Sequence, residues 1–251
     1  MHTGRVFPTS EDAALAEELA TAAGELLLRL RGDDADRVAA DGTSDAYVLG
    51  ELAARRPDDA VLSEESPDDP VRLGSDRVWI VDPLDGTKEY RTPDRTDWAV
   101  HVALWQRGEL TAAAVTLPAL GELWSTARPV RRIDGPVRRI AVSRTRAPAW
   151  TAAVAAELGA ELVPMGSAGA KVAAVLRGEV DAYLHDGGQY EWDSAAPVAV
   201  ARAAGLHTSR VDGSPLEYNR PDPWSPDLVV CPPGAAGRIV ELVTLHREES
   251  P

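Results

Sequence analysis

Val78, Trp79, Ile80 and Val81 form an unbroken apolar run of β-forming residues that stops at Asp82-Pro83. Such a run reads as a strand buried on both faces, and only a layered fold that packs elements on either side of a sheet can supply that burial. Proline cannot continue a ladder, so the strand is expected to end there with Asp82 at its carboxyl end.

The flanking patterns agree with a layered fold. Ser10–Leu30 suits an amphipathic helix with Leu15, Leu19, Leu26 and Leu30 on one stripe, and residues 43–56 suit a second helix closed by Pro57. Ala60–Ser63 reads as a strand running into Glu64 and Glu65. Residues 98–105 and 110–117 read as a hairpin turning near Gly108, with a further strand at Glu122–Ser125. After a Pro- and Arg-rich connection at residues 128–136 the texture becomes alternating. Strands are expected at 139–143, 161–164, 180–185 and 228–231, and helices at 149–158, 167–176, 194–204 and 235–247. The expected fold is α/β, with an antiparallel-rich half over residues 1–130 and an alternating half over 131–251. A crevice between such halves is a favoured place for a site.

Charge narrows the function. Lys plus Arg number 26 against 40 Asp plus Glu, a formal net charge of −14, which disfavours long nucleic acids and anionic membranes as partners. A small anionic substrate needs a divalent cation between it and these carboxylates. Cys231 is the only cysteine, so an internal disulfide and a thiolate metal site are excluded. His2, His101, His185, His207 and His246 lack zinc-ligand spacing, and neither a P-loop nor a dinucleotide-binding glycine pattern occurs. No apolar stretch approaches the ~20 residues of a membrane span, and residues 1–15 are polar and acidic. A soluble, cytoplasmic protein is expected.

Three acidic segments carry the chemistry. In Asp82-Pro83-Leu84-Asp85-Gly86-Thr87-Lys88 a tight turn can bring Asp82, the Leu84 carbonyl and Asp85 to one point, and oxygen donors of this kind suit a hard cation such as magnesium. Thr87 is expected to cap a short helix whose amides, near Gly86 and Lys88, can bind a phosphate oxygen. Glu64-Glu65 closes the preceding strand, and Asp193 stands just before a helix in Trp192-Asp193-Ser194-Ala195-Ala196. Read singly, Glu64-Glu65 is a solvated acidic loop and Asp193 an ordinary N-cap.

In this order and spacing the three segments resemble the magnesium-dependent, lithium-sensitive phosphatase superfamily of inositol monophosphatase, and the match runs over nearly the whole chain. The resemblance implies a layered αβαβα sandwich, two or three Mg²⁺ per site, lithium inhibition, and a monomer or homodimer. Glu64, Asp82 and the Leu84 carbonyl would hold one ion, and Asp82, Asp85 and Asp193 a second. Thr87 would orient the attacking water and an upstream aspartate would draw off its proton. Asp41 stands at the family's usual distance before Glu64, while Asp45 is an alternative because the segment from Ala40 to Asp45 departs from the family wording.

Val61-Leu62-Ser63-Glu64-Glu65, Gly166-Ser167-Ala168-Gly169-Ala170-Lys171 and Asp181-Ala182-Tyr183-Leu184-His185 look most like actinobacterial members that hydrolyse 3'-phosphoadenosine 5'-phosphate. That likeness implies removal of the 3'-phosphate to give AMP, in sulfate assimilation. Inositol monophosphate or fructose-1,6-bisphosphate are sister substrates, and a silent metal- and nucleotide-binding regulator is the alternative of another class. Helix-opening amides at Gly166, Ser167 and Ala168, together with Lys171, are expected to meet substrate. Ser143 and Arg144 are expected at the second phosphate, Asp186 at a sugar hydroxyl, and His185, Tyr190 or Trp192 either against adenine or in the core.

Overall fold

The computed structural model describes residues 10–32, 39–131 and 134–248. Most of the segment from Met1 to Leu15 tested for a signal sequence, and part of the connection expected at 128–136, lie outside these residues. Two helices, α1 (Ser10–Leu30) and α2 (Ala40–Arg55), precede a five-stranded sheet. Its strands are β1 (Ala60–Ser63), β2 (Arg77–Asp85), β3 (Ala99–Gln106), β4 (Glu109–Leu117) and β5 (Glu122–Ser125), in that spatial order, with a short helix α3 (Thr87–Arg91) after β2. β1 runs parallel to β2, and the other pairs are antiparallel.

The chain continues through β6 (Arg139–Ser143), α4 (Thr151–Leu158), β7 (Glu161–Met165), α5 (Ala168–Arg177), β8 (Ala182–Tyr190), α6 (Glu191–Ala203), β9 (His207–Ser209), β10 (Trp224–Cys231) and α7 (Ala236–Glu248). The second sheet has the order β7-β6-β8-β10-β9, parallel across β7, β6 and β8 and antiparallel beyond.

Burial divides the molecule into five layers. Trp79, Val81, Val100 and Val102 face α1 and α2 and meet Leu15, Leu19, Val48 and Leu52. Val78 and Ile80, on the opposite face of β2, share a core with Val172 and Val175 of α5, Val198 of α6, and Tyr183 and Val230 of the second sheet. The outer face of that sheet packs Ile140, Leu184 and Val229 against Val154 of α4 and Ile239 and Leu242 of α7. Alternation along β2 thus feeds two cores at once, and each fully buried Leu, Val or Ile contributes roughly 1.5–3 kcal/mol.

The differences from the sequence reading have local causes. β2 does not stop at Asp82-Pro83 but reaches Asp85, because its pairing with β3 slips between Asp82 and Asp85 and the missing Pro83 donor falls in the slip. The buried stripe of α1 passes through Leu27 while Leu26 and Leu30 are half-buried, since alanines 16, 20 and 23 carry the stripe one residue further round. α2 begins at Ala40 instead of residue 43, so Asp41 lies in its first turn, where the helix dipole favours an acid. α6 begins at Glu191, which makes Asp193 its third residue and not a residue before it. β8 continues to Tyr190 through Gly187 and Gly188, and the three-residue β9 had no apolar run to announce it. No helix among the described residues is long and apolar enough to cross a membrane.

Candidate active site

Where β2 ends, Gly86 takes φ 87°, a left-handed conformation that turns the chain at once into α3. Gly86 is therefore the cap and Thr87 the first helical residue, contrary to the expected capping by Thr87. The Thr87 hydroxyl instead donates to the Leu84 carbonyl at 3.3 Å. Asp82 Oδ1 accepts the Leu84 amide at 3.0 Å, which folds the turn back on the strand end.

Asp82, Asp85 and Asp193 each offer a carboxylate oxygen, and these atoms all lie within 4.8 Å of one another. Asp193 Oδ2 accepts the Tyr190 amide at 2.7 Å, so the carboxylate closes the start of its own helix while facing the other two. Asp85 Oδ2 accepts Ser167 Oγ at 2.5 Å and the Gly169 amide at 2.8 Å. His101 Nε2 stands 3.1 Å from the same oxygen, and β-pairing sets His101 opposite Asp82. One oxygen of Asp85 thus accepts two hydrogen bonds and lies beside the imidazole of His101.

The electrostatics mark a cluster in which negative charge is in excess. Burial, then the charges of Glu64, Asp85 and Asp193, push Asp82 well up from the usual carboxylate range. Burial and the charge of Asp85 bring Asp193 up to about 6. Glu64 adjoins Asp82 at the open rim; enclosure by protein, then the charges of Asp193, Asp85 and Glu65, raise it to about 7. Burial alone would raise Asp85 too, but His101, Ser167 and Lys171 outweigh it and hold that carboxyl low. An all-oxygen, partly buried set of like charges fits a hard divalent cation, which would replace the protons these groups otherwise retain.

A cavity of about 240 Å³ opens beside the cluster. Asp85, Gly86, Thr87, Ser143, Arg144, Gly166, Ser167, Ala168, Lys171 and Asp193 all line it. Several do so in unexpected roles. Ser167, at φ 47°, caps α5 through the Ala170 amide at 3.0 Å. The amides of Gly166, Gly169 and Ala170 are taken by Asp97, Asp85 and Ser167, so much of the expected anion-binding loop is already committed within the protein. Lys171 is buried and donates to the carbonyls of Gly166 and Ser167 at 3.0 and 2.7 Å; burial lowers it to about 8. It therefore braces the loop.

Other expected residues lie elsewhere. Asp186 faces away from the cavity, accepting Trp150 Nε1 at 3.0 Å and pairing with Arg247. Tyr190 stacks on Trp192, with centroids 4.8 Å apart, and only His185 of the three candidate adenine platforms lines the cavity. Asp41 is paired with Arg91 at 3.3 Å, and Asp45 accepts Ser63 and Ser66 at 2.5 and 2.6 Å. Neither makes the expected hydrogen bond to Thr87.

Sequence reasoning missed Glu89, Arg146, Tyr183 and Gln189 on the cavity wall, and His101 behind the cluster. For His101 a signal existed, because a histidine inside the apolar run from Ala99 to Leu104 demands a buried polar partner. Glu89 is joined to Arg144 across 55 residues, and no local pattern announces that pair.

A five-layer αβαβα sandwich with carboxylates gathered at the end of a buried strand is the architecture of the sugar and inositol phosphatases. A model of the inositol monophosphatase family matches residues 9–247, and the chain belongs to that family. The protein of Mycobacterium leprae named 3'-phosphoadenosine 5'-phosphate phosphatase is 54% identical over 240 residues, covering 88% of this chain and 89% of its own length. The 3'(2'),5'-bisphosphate nucleotidase CysQ of Escherichia coli K12 is 30% identical over 201 residues, 75% of this chain and 81% of that protein. The structure of inositol monophosphatase from Anabaena superimposes with a TM-score of 0.78 at 22% identity, covering 93% of this chain and 95% of that one, and bears out the expected fold.

Proposed function

We propose that the chain is a Mg²⁺-dependent phosphomonoesterase that removes the 3'-phosphate of 3'-phosphoadenosine 5'-phosphate and releases AMP. One observation carries the reading: a single cavity is lined by the carboxylates Asp85 and Asp193 and also by Arg144 and Arg146 from the loop after β6. That polarity suits a substrate with one phosphate to cleave beside cations and another to hold. The names borne by the mycobacterial and enterobacterial relatives support the same substrate class. The inositol reading loses its motive here, because Asp186, the expected partner of a ring hydroxyl, is engaged by Trp150 and Arg247 outside the cavity.

Glu64, Asp82 and the Leu84 carbonyl would hold one magnesium ion, and Asp82, Asp85 and Asp193 another. Bound magnesium supplies polarisation of the phosphoryl oxygens and a lowered pKa for water. The protein's own groups then position the reaction. Thr87, whose hydroxyl proton is committed to the Leu84 carbonyl, presents its lone pairs to a water and so fixes the angle of attack. The resemblance gives the proton to an upstream aspartate; Asp41 is the candidate, because among the described residues it pairs with an exposed arginine, whereas both oxygens of Asp45 are occupied by serines. Ser167 and Lys171 keep the loop from Gly166 rigid against Asp85.

Initial rates of phosphate release from 3'-phosphoadenosine 5'-phosphate, inositol 1-phosphate and fructose-1,6-bisphosphate, each with magnesium, test the proposal. The nucleotide is expected to be hydrolysed fastest, and Asp82→Ala to lose this activity by about a hundredfold or more. Failure to hydrolyse the nucleotide, or preference for either sugar ester, would overturn it.

A further inference from the structure

Glu64 and Asp193 reach the proposed cation site from distant segments, the end of β1 and the first turn of α6, and a buried polar chain joins those segments. Glu64 opens the connection from β1 to β2, and Arg72 lies in a 3₁₀ turn of that connection, Pro70–Gly74. Arg72 is only 1% exposed. Its guanidinium forks onto Asp68 at 2.6 and 2.9 Å, and its other contacts leave for the loop between β9 and β10. There Nη1 donates to Asn219 Oδ1 at 2.8 Å, Nη2 donates to the Arg220 carbonyl at 3.0 Å, and Asn219 Nδ2 donates back to the Arg72 carbonyl at 3.2 Å.

The other side of the same loop grips the start of α6. Glu191 is as deeply buried as Arg72 and accepts the amides of Asn219 and Arg220 at 2.6 and 2.8 Å, while its own amide donates to the Pro223 carbonyl at 2.8 Å. Ser194 Oγ meets the Tyr218 hydroxyl at 3.2 Å. Asp193 thus stands between two residues that the loop holds. Asn219 itself adopts φ 60°, a left-handed conformation that persists in a non-glycine residue where its surroundings impose it. Apolar side chains of like volume often stabilise a core as well as a buried ion pair does, so the distinctive contribution of Arg72 is direction. Its planar set of donors holds Asp68, Asn219 and Arg220 at once.

We propose that Arg72 is a positioning residue for the cation site: by locking the β9–β10 loop to the β1–β2 connection it fixes the span from Glu64 to Asp193 and so sets the affinity for magnesium. This role rests on the magnesium-binding reading of the carboxylates. Charge alone would act in the opposite sense. Removing the guanidinium leaves more negative charge near the cluster, which tightens a cation, whereas loss of position weakens it.

Magnesium dissociation constants, measured by titration calorimetry on the folded, substrate-free protein, test this. Arg72→Met and Asn219→Gly are each expected to raise the constant by about tenfold. Asn219→Gly is the more searching variant, because glycine keeps the left-handed backbone and no charge changes. Arg177→Met breaks the pair with Glu122, at 2.6 Å, at the far end of α5 from the cavity. It should lower the melting temperature yet leave the constant within about twofold, which separates positioning from general loss of stability. A constant that is unchanged in Asn219→Gly, lowered in Arg72→Met, or raised equally in Arg177→Met overturns the role of Arg72 alone. A wild-type protein that binds no magnesium overturns that role together with the reading of the carboxylates.

Discussion

Ser167 Oγ donates to Asp85 Oδ2 at 2.5 Å, across 82 residues of sequence, and the same hydroxyl accepts the Ala170 amide that opens α5. One serine therefore ties the carboxylate cluster of the first sheet to the helix that carries the cavity's other wall. Ser167→Ala removes both a helix cap and a hydrogen bond to a buried carboxylate, together costing about 2–4 kcal/mol of stability. The melting temperature should fall by roughly 4–15 °C, and kcat/KM should fall with it as Asp85 loses its fixed orientation. An unchanged melting temperature would show that the bond does not hold the two parts together.

Metal and pH act on the same groups. Glu64 at about 7 and Asp193 at about 6 stand above their ordinary values of 4.5 and 3.8, and Asp82 is raised as well. Between about pH 4.5 and 7 these three carboxyls bind more protons in the metal-free folded chain than in the unfolded one; together they outweigh His185, which burial lowers to about 4 and which acts in the opposite sense, so stability falls as pH rises through that window. A cation that replaces those protons reverses the trend. Magnesium at about a hundred times its dissociation constant should add about 2.7 kcal/mol, or roughly 5–10 °C, at pH 7.5 and much less at pH 5. Thermal melts in chelator and in magnesium at the two pH values check this; a metal-free melting temperature that rises from pH 5 to 7.5 would contradict it.

Gly169 is packed where no side chain fits. A Cβ there would stand 2.2 Å from His101 Nε2 and 3.0 Å from both Ala99 Cβ and Val115 Cγ1. Alanine gains about 1 kcal/mol of helix propensity over glycine, but overpacking a tight core typically costs about 1–3 kcal/mol. The imidazole is fully buried and cannot swing aside, so the clash wins. Gly169→Ala should lower the melting temperature by a few degrees and reduce kcat by displacing His101 from Asp85. A stabilised, fully active variant would mean the ring has room to move.

Local chemistry made much of the fold legible. The strand through Val81, the hairpin about Gly108 and the alternation after residue 139 all follow from apolar periodicity and turn residues, which act within a few positions. Asp82 and Asp85 were legible from the turn at the end of a strand, whereas Asp193, which singly reads as an N-cap, joined them only through the family resemblance. What escaped was set by contacts that no local pattern encodes. Asp186 and Arg144 carry suitable chemistry, but Trp150, Arg247 and Glu89 reach them from distant segments and decide where each side chain goes. The amides of Gly166 and Gly169 looked available for an anion until Asp97 and Asp85 arrived from the other sheet.

Asp41 and Asp45 lie one turn apart on α2, and their surroundings differ. Asp45 is buried and accepts a serine hydroxyl on each oxygen, joining α2 to the strand end that carries Glu64. Asparagine at 45 offers one acceptor instead of two and leaves a serine unsatisfied, so Asp45→Asn should cost about 1–3 kcal/mol of stability while changing kcat little. Among the described residues, Asp41 has only the long contacts to Arg91, at 3.3 and 3.4 Å. Asp41→Asn should leave the melting temperature nearly unchanged but lower kcat by about 10²-fold or more, the ordinary contribution of a positioned base. If instead Asp45→Asn lowers kcat by that factor at full stability, the two aspartates exchange roles, and the proton leaves through Ser63 and Ser66 rather than along the face of α2 beside Arg91.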